Sequence, residues 1–141
     1  MTTAIFPGSF DPITPGHEAI ARRAMRLFDS VVIAVGVNSD KHYMFSPEER
    51  VAKIKALFAN EPSVEVIAYS GMTIDLCHQL GAQCIVRGIR NSADLDYEQT
   101  VAAVNQALDP NIETVLLLAD EQHRDISSTL IREQLTHGAR Q

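Results

Sequence analysis

TTAIFPGSFDPITPGHEAIARRAMRLFDSVVIAVGV, residues 2–37, runs from one short β-branched segment through a loop of glycines and prolines and a stretch of helical spacing to a second β-branched segment. TTAIF and VVIAVGV are too short and too continuously apolar for half-exposed strands, so they read as buried parallel strands. Between them Ile20, Ala24, Leu27 and Phe28 fall on one helical face. The same unit recurs along the chain. Further strands are predicted at VEVIA (64–68), CIVRG (84–88) and TVLLLA (114–119), and helical spacing returns at Val51, Ile54 and Phe58 and at Tyr97, Val101, Val104 and Leu108. Helix ends carry their own chemistry. Ser46, Pro47 and Glu49 form a capping box with proline in the first turn, and Gly81 stops the helix carrying Leu76.

Five rounds of strand and helix with short connections imply an α/β fold: a Rossmann-like, doubly wound, five-stranded parallel sheet. With no repeat, linker or low-complexity segment, a single domain over residues 1–141 is expected. A chain of this length buries roughly 68–70% of the surface its unfolded form exposes. In this class ligands bind beyond the carboxyl ends of the strands, where the strand order reverses, so function is sought in the loops that follow the strands.

The net charge of -6 argues against a nucleic-acid partner, because neutralising many phosphates calls for a basic face. An anionic ligand must then be met by locally placed cations. The two cysteines, Cys77 and Cys84, lack the CxxC spacing of zinc or redox sites and read as buried reduced thiols. No apolar run approaches the roughly 20 residues of a membrane span, and MTTAIFPG lacks the features of a signal peptide, so a cytoplasmic location without membrane contact is expected.

The loop after the first strand holds the most specific signal. Gly8 and Gly16 allow close backbone approach to a ligand, yet neither G-x-G-x-x-G nor G-x-x-x-x-G-K-[ST] is present. His17 opens the following helix, where free N–H groups and the positive end of the dipole favour an anion.

PGSFDPITPGH (7–17) resembles the first signature of the nucleotidylyltransferase superfamily, whose T/H-x-G-H element appears as Thr14-Pro15-Gly16-His17. With MFSPEER (44–50), VRGIRNSADLDYE (86–98) and ISSTLIR (126–132), the motifs are similar, in order, to those of the phosphopantetheine adenylyltransferase family. That resemblance implies adenylyl transfer from ATP to 4'-phosphopantetheine, giving dephospho-coenzyme A and pyrophosphate in coenzyme A biosynthesis. By the same resemblance His17 stabilises the transition state, and Ser9, Lys41, Thr73 and Arg87 bind the acceptor. The nucleotide is assigned to Ser9, Phe10, His17, Gly88, Ile89, Arg90 and Glu98, and further to His123, Ile126, Ser127, Ser128 and Thr129. Mg²⁺ is expected on the ATP phosphates with no protein ligand of its own. A homo-oligomer, hexameric in the family, is likewise implied.

The chain departs from the family in three places. Ser9 stands where Thr is usual, with either hydroxyl able to donate. His123-Arg124-Asp125 replaces an aromatic followed by Ser-Phe, which puts a negative charge beside the triphosphate. Family members also usually run on past the point where this chain ends, so subunit packing is expected to differ. Two alternatives stay open: a related transferase with another phosphorylated acceptor or nucleotide, and a non-catalytic binder of ATP or coenzyme A.

Overall fold

The structure is a computed structural model, and it describes residues 1–120. Strands β1 (Thr3–Gly8), β2 (Ser30–Gly36), β3 (Val64–Tyr69), β4 (Cys84–Ile89) and β5 (Glu113–Leu118) form one sheet in the order β3-β2-β1-β4-β5, every neighbouring pair parallel. Helices α1 (Pro15–Leu27), α2 (Pro47–Leu57), α3 (Thr73–Leu80) and α4 (Ser92–Leu108) alternate with them. This is the doubly wound architecture expected from the alternation.

Side chains of the central strands divide by parity. Ala4 and Phe6 of β1 and Val31, Ile33 and Val35 of β2 meet Ile20 and Ala24 of α1 and Ile54 of α2 on one face. Ile5, Val32, Ala34 and Ile85 meet Ile74 and Cys77 of α3 on the other. Each fully buried Ile or Val contributes about 1.5–3 kcal/mol, so the two faces hold the sheet between two cores. The helix starts behave as read: Ser46 Oγ accepts from Glu49 N at 3.1 Å, the Glu49 carboxylate accepts from Ser46 N at 3.2 Å, and Gly81 ends α3 at φ 66°.

Three expectations change. β3 and β5 are the edge strands and are only partly covered, with Leu118 67% exposed; an edge strand lacks a neighbour on one side. On α1 the packing face is Ile20, Ala21 and Ala24, while Leu27 in the last turn is exposed. On α4 the helix exists but most of its apolar stripe faces away from the sheet, with Val101 half-buried. Tyr97, Val104 and Leu108 are exposed, and the buried residue is Glu98, because an ion pair holds that face inward.

β1 pairs with β2 along its full length, to Gly8 opposite Val35, but with β4 only at Ala4 opposite Cys84 and Ile5 opposite Ile85. Beyond that point the two central strands part, which opens a crevice where the strand order reverses. The Arg87 guanidinium reaches across it and Nη1 donates to the Pro7 carbonyl at 2.6 Å. The N and O of one strand residue point to the same side, so the missing N–H of Pro7 faces this gap and forfeits no ladder bond.

Candidate active site

The β1–α1 loop leaves the sheet through Ser9 and turns at Phe10, whose φ of 46° lies in the left-handed region, costly for a bulky residue. Its ring goes inward, 2% exposed, edge-on to Phe6 at 5.2 Å and to His17 at 5.1 Å. A Cβ on Gly8 would meet that ring at 2.9 Å. Gly8, the last residue of β1, thus makes room for Phe10, and it lines the cavity at the strand ends as well. Asp11 precedes a cis peptide bond to Pro12, and its carboxylate accepts from the amides of Met44 and Phe45 at 2.7 and 2.9 Å. That ties this loop to the one after β2.

The loop ends in a second capping box. Thr14 Oγ1 accepts from His17 N at 3.2 Å, and His17 Nδ1 accepts from Thr14 N at 3.1 Å. His17 fills the slot that Glu or Gln usually takes. An Nδ1 that accepts carries no proton, so the neutral ring bears its proton on Nε2, and Nε2 becomes a donor. Burial first, then the charges of Arg87 and Arg90, hold the imidazole below its ordinary 6.5. The helix start acts in the same direction. At neutral pH the side chain is therefore an uncharged donor of fixed orientation.

Four acceptor-site expectations meet in one place. Ser9, Lys41, Thr73 and Arg87 all line a cavity of about 400 Å³ at the strand ends. Lys41 is exposed on the β2–α2 loop, which Asn38 shapes by accepting from Asp40 N at 2.9 Å. Thr73 begins α3 and shares a 3.0 Å hydrogen bond with the Tyr69 hydroxyl. Beyond these groups the cavity runs along α4, past Tyr97, Val101, Ala102 and Asn105.

Arg87 is already engaged. Its Nε lies 2.9 and 3.0 Å from the two Glu98 oxygens and Nη2 lies 2.8 Å from Oε2, with Glu98 5% exposed. Glu98, assigned to the nucleotide by resemblance, is here the counter-ion of Arg87. The forked geometry of the pair is the strong, directional form of a charge-assisted contact.

The nucleotide-side group is only partly described. Gly88 follows Arg87, and a Cβ there would strike Ile20 at 2.9 Å, so its small size lets α1 pack on β4. The Ile89 side chain is buried, and its carbonyl accepts from Ala119 N at 2.8 Å. Arg90 hydrogen-bonds Asp94 Oδ2 through both N, at 2.9 Å, and Nε, at 3.1 Å. Burial pushes the Asp94 carboxyl up, but the Arg90 bonds and the hydrogen bond with Asn91 outweigh it and hold the group low. The charges of Arg87 and Arg90 both act on His17, although of these three side chains Arg87 alone is in the cavity lining. His123, Ile126, Ser127, Ser128 and Thr129, with the His123-Arg124-Asp125 departure, lie outside the described residues.

Two things went unseen in the sequence. Arg50 of α2 is fully buried, with Nη1 donating to the carbonyls of Ser9 at 2.8 Å and Gly36 at 3.0 Å and Nε to that of Phe45 at 3.2 Å. Its Nη2 has no hydrogen-bond partner, an omission that ordinarily costs about 1–3 kcal/mol. The other is the tautomer of His17, legible in T-x-x-H once His is admitted to the third helical position. Neither thiol is primed as a nucleophile: burial, with Asp109 nearby, pushes Cys77 up to about 11, and partial burial, with Glu113, raises Cys84, which is half-buried where full burial is expected.

Comparison with known proteins bears on the family and the fold. The model of the cytidylyltransferase-like family matches residues 5–134. The phosphopantetheine adenylyltransferase of Flavobacterium psychrophilum is 51% identical over 98% of this chain and 91% of its own. That of Thiobacillus denitrificans is 47% identical over 94% and 83%. Among solved structures, a bifunctional NMN adenylyltransferase/ADP ribose pyrophosphatase from Francisella tularensis aligns at TM-score 0.68 and 16% identity, over 99% of this chain and 43% of its own. A putative nicotinate-nucleotide adenylyltransferase from Vibrio parahaemolyticus aligns at 0.63 and 20%, over 99% and 90%; at such identities both speak for the fold alone. Half-identity along nearly the whole length speaks for more, and the chain belongs to the phosphopantetheine adenylyltransferases, within the cytidylyltransferase-like family.

Proposed function

We propose that the chain transfers the adenylyl group of ATP to the phosphate of 4'-phosphopantetheine, forming dephospho-coenzyme A and releasing pyrophosphate, as a step of coenzyme A biosynthesis. The observation that carries this reading is a neutral imidazole with its donor nitrogen selected by Thr14 and its proton affinity lowered by burial and by Arg87 and Arg90, at the end of the loop whose other end, Ser9, lines a cavity with Lys41 and Arg87. An acceptor phosphate oxygen attacks the α-phosphorus of ATP; the bond from that phosphorus to the bridging oxygen breaks, and pyrophosphate leaves with the electron pair. The acceptor is already an anion at neutral pH, so no enzyme nucleophile is required. What the chain supplies is position and charge.

In this reading Lys41, Ser9 and Arg87 orient the acceptor phosphate, and the Nε2–H of His17 donates to the α-phosphate as charge builds there. Arg90 steadies the nucleotide phosphates. The groove along Tyr97, Val101 and Asn105 suits an acceptor that is longer than its phosphate and partly apolar. The described residues hold no cluster of three His, Cys, Asp or Glu for a metal. A cation carried in on the triphosphate fits such a site, and Mg²⁺ there would neutralise phosphate charge.

A homo-oligomer, hexameric by the family resemblance, belongs to the same proposal, supported by the exposed apolar residues Tyr97, Val104 and Leu108 along α4. The free thiols Cys77 and Cys84 fit a reducing compartment, as the cytoplasm is. No helix among the described residues is long and apolar enough to cross a membrane.

The test is pyrophosphate release from ATP with 4'-phosphopantetheine, run beside CTP with small alcohol phosphates. Release with the first pair and not the second is expected. Binding of both substrates with no release from any pair would reduce the chain to a ligand-binding member of the family.

A further inference from the structure

Arg50 is the largest side chain fully enclosed among the described residues, and the reaction above makes no use of it. It lies behind the cavity wall. Two of its three acceptors, the Ser9 and Gly36 carbonyls, belong to residues that line the cavity, and so does Tyr43, whose ring centre is 4.0 Å from the guanidinium carbon. Asp11 makes the converse tie, accepting from Met44 and Phe45 on the far loop. One side chain from α2 and one from the β1–α1 loop therefore bolt together the two loops that present Ser9 and Lys41.

The charge balance points the same way. A buried guanidinium ordinarily faces a carboxylate, since taking a lone charge out of water is costly. No ion pair of the described residues includes Arg50, its acceptors are all main-chain carbonyls, and Nη2 is buried without a partner. Arg87, by contrast, has its charge matched by Glu98 at 2.8 Å. Arg50 thus lies behind the wall at Ser9 and Gly36 without a direct ion-pair partner among the described residues; the Asp11 carboxylate is bonded to the amide of Phe45, the residue whose carbonyl Arg50 holds.

We propose that Arg50 is a positioning residue for the acceptor phosphate: it holds Ser9 in place relative to Lys41 and lends the cavity a positive charge without touching the ligand. The proposal rests on the adenylyltransferase reading, and its test is built to fail separately. Arg50→Met keeps the stem and removes the charge and donors, and Arg50→Lys restores the charge. Calorimetry with 4'-phosphopantetheine and with ATP, on wild type and both variants, gives the two affinities.

Arg50→Met should weaken 4'-phosphopantetheine about tenfold or more while ATP stays within about threefold, the loss expected for a charge acting on one ligand alone. Arg50→Lys should fall between the variant and wild type. The proposal is overturned if both ligands weaken together, or if the melting temperature falls while both affinities hold, since a merely structural residue does one or the other. If Arg50→Met does not fold, Arg50→Lys decides: weaker acceptor with unchanged ATP supports the proposal, and equal change in both overturns it. Pyrophosphate release reports on the function separately. A wild type that binds both ligands and releases nothing fails that reading and leaves the affinities to judge Arg50.

Discussion

The first turns of α1 and α2 are built alike and used differently. Each begins with a hydroxyl N-cap followed by proline, and in each the third helical residue reaches back to the N-cap amide: His17 to Thr14, Glu49 to Ser46. At α2 the returning group is a carboxylate, which matches the helix dipole and finishes the helix start. At α1 it is an imidazole, whose second nitrogen remains after the first is engaged. The lesson is that a helix-start rule, normally worth about 1 kcal/mol of stability, here also selects a tautomer and aims a donor. If His17 acts as proposed, the geometry it needs is written into local backbone chemistry, with the Thr14 amide orienting the ring.

His17→Gln gives the strongest test of that contrast. Glutamine is a regular third-position residue of capping boxes, so α1 should start normally and the melting temperature should hold. The donor toward the α-phosphate is displaced, and kcat should fall on the order of 10²–10³-fold, the usual cost of one lost transition-state donor. ATP affinity should change little. Steady-state kinetics and calorimetry on the same protein check both statements; equal losses in kcat and ATP binding would assign His17 to ground-state binding.

Much of this site could be read before any coordinates. The motif Thr14-Pro15-Gly16-His17 and the strand-end residues Ser9, Lys41, Thr73 and Arg87 are local in sequence or tied to strand ends, and the parallel sheet brings strand ends together. What stayed hidden depends on contacts between distant segments. Arg50 sits in a helix with charged neighbours and reads as a surface residue, since arginine is seldom fully buried without a partner. A packing duty of Gly8 and Gly88 is equally hidden, since Phe10 and Ile20 stand where their Cβ atoms would be. The stripe on α4 has helical spacing whichever face turns inward, and the Arg87–Glu98 pair, 11 residues apart, decides it. Spacing reports periodicity; the direction of a face is set by a partner elsewhere.

Acid sharpens the contrast next. His17 is held below its ordinary 6.5 in the folded chain, so the unfolded chain binds the proton more readily between the folded value and 6.5. Stability from this group is complete above 6.5 and is lost as pH falls through that window. Protonation also places a hydrogen on Nδ1, where the Thr14 amide already donates, and breaks the box. The profile of kcat/KM should thus show an acid limb with an apparent pKa below 6.5 that is absent in His17→Gln. A pH series of kcat/KM, which reports the free protein, decides it for the two proteins, and an identical limb in both would move the titrating group elsewhere.

The smallest effect separates the boxes most cleanly. Thr14→Ala and Ser46→Ala each delete one N-cap hydroxyl, and each should cost about 1 kcal/mol in denaturant unfolding, because the two caps make the same bond at 3.2 and 3.1 Å. Their kinetics should differ. Thr14→Ala frays the turn that aims the imidazole, and if the same free energy is needed to restore the aim in the transition state, kcat falls about fivefold. Ser46→Ala frays a turn whose returning residue, Glu49, has no part in the chemistry, so kcat should stay close to wild type. Equal kcat in two equally destabilised variants would mean that His17 is held by its contacts with Phe10 and the α1 body, and that the capping box at Thr14 is a helix start like the other.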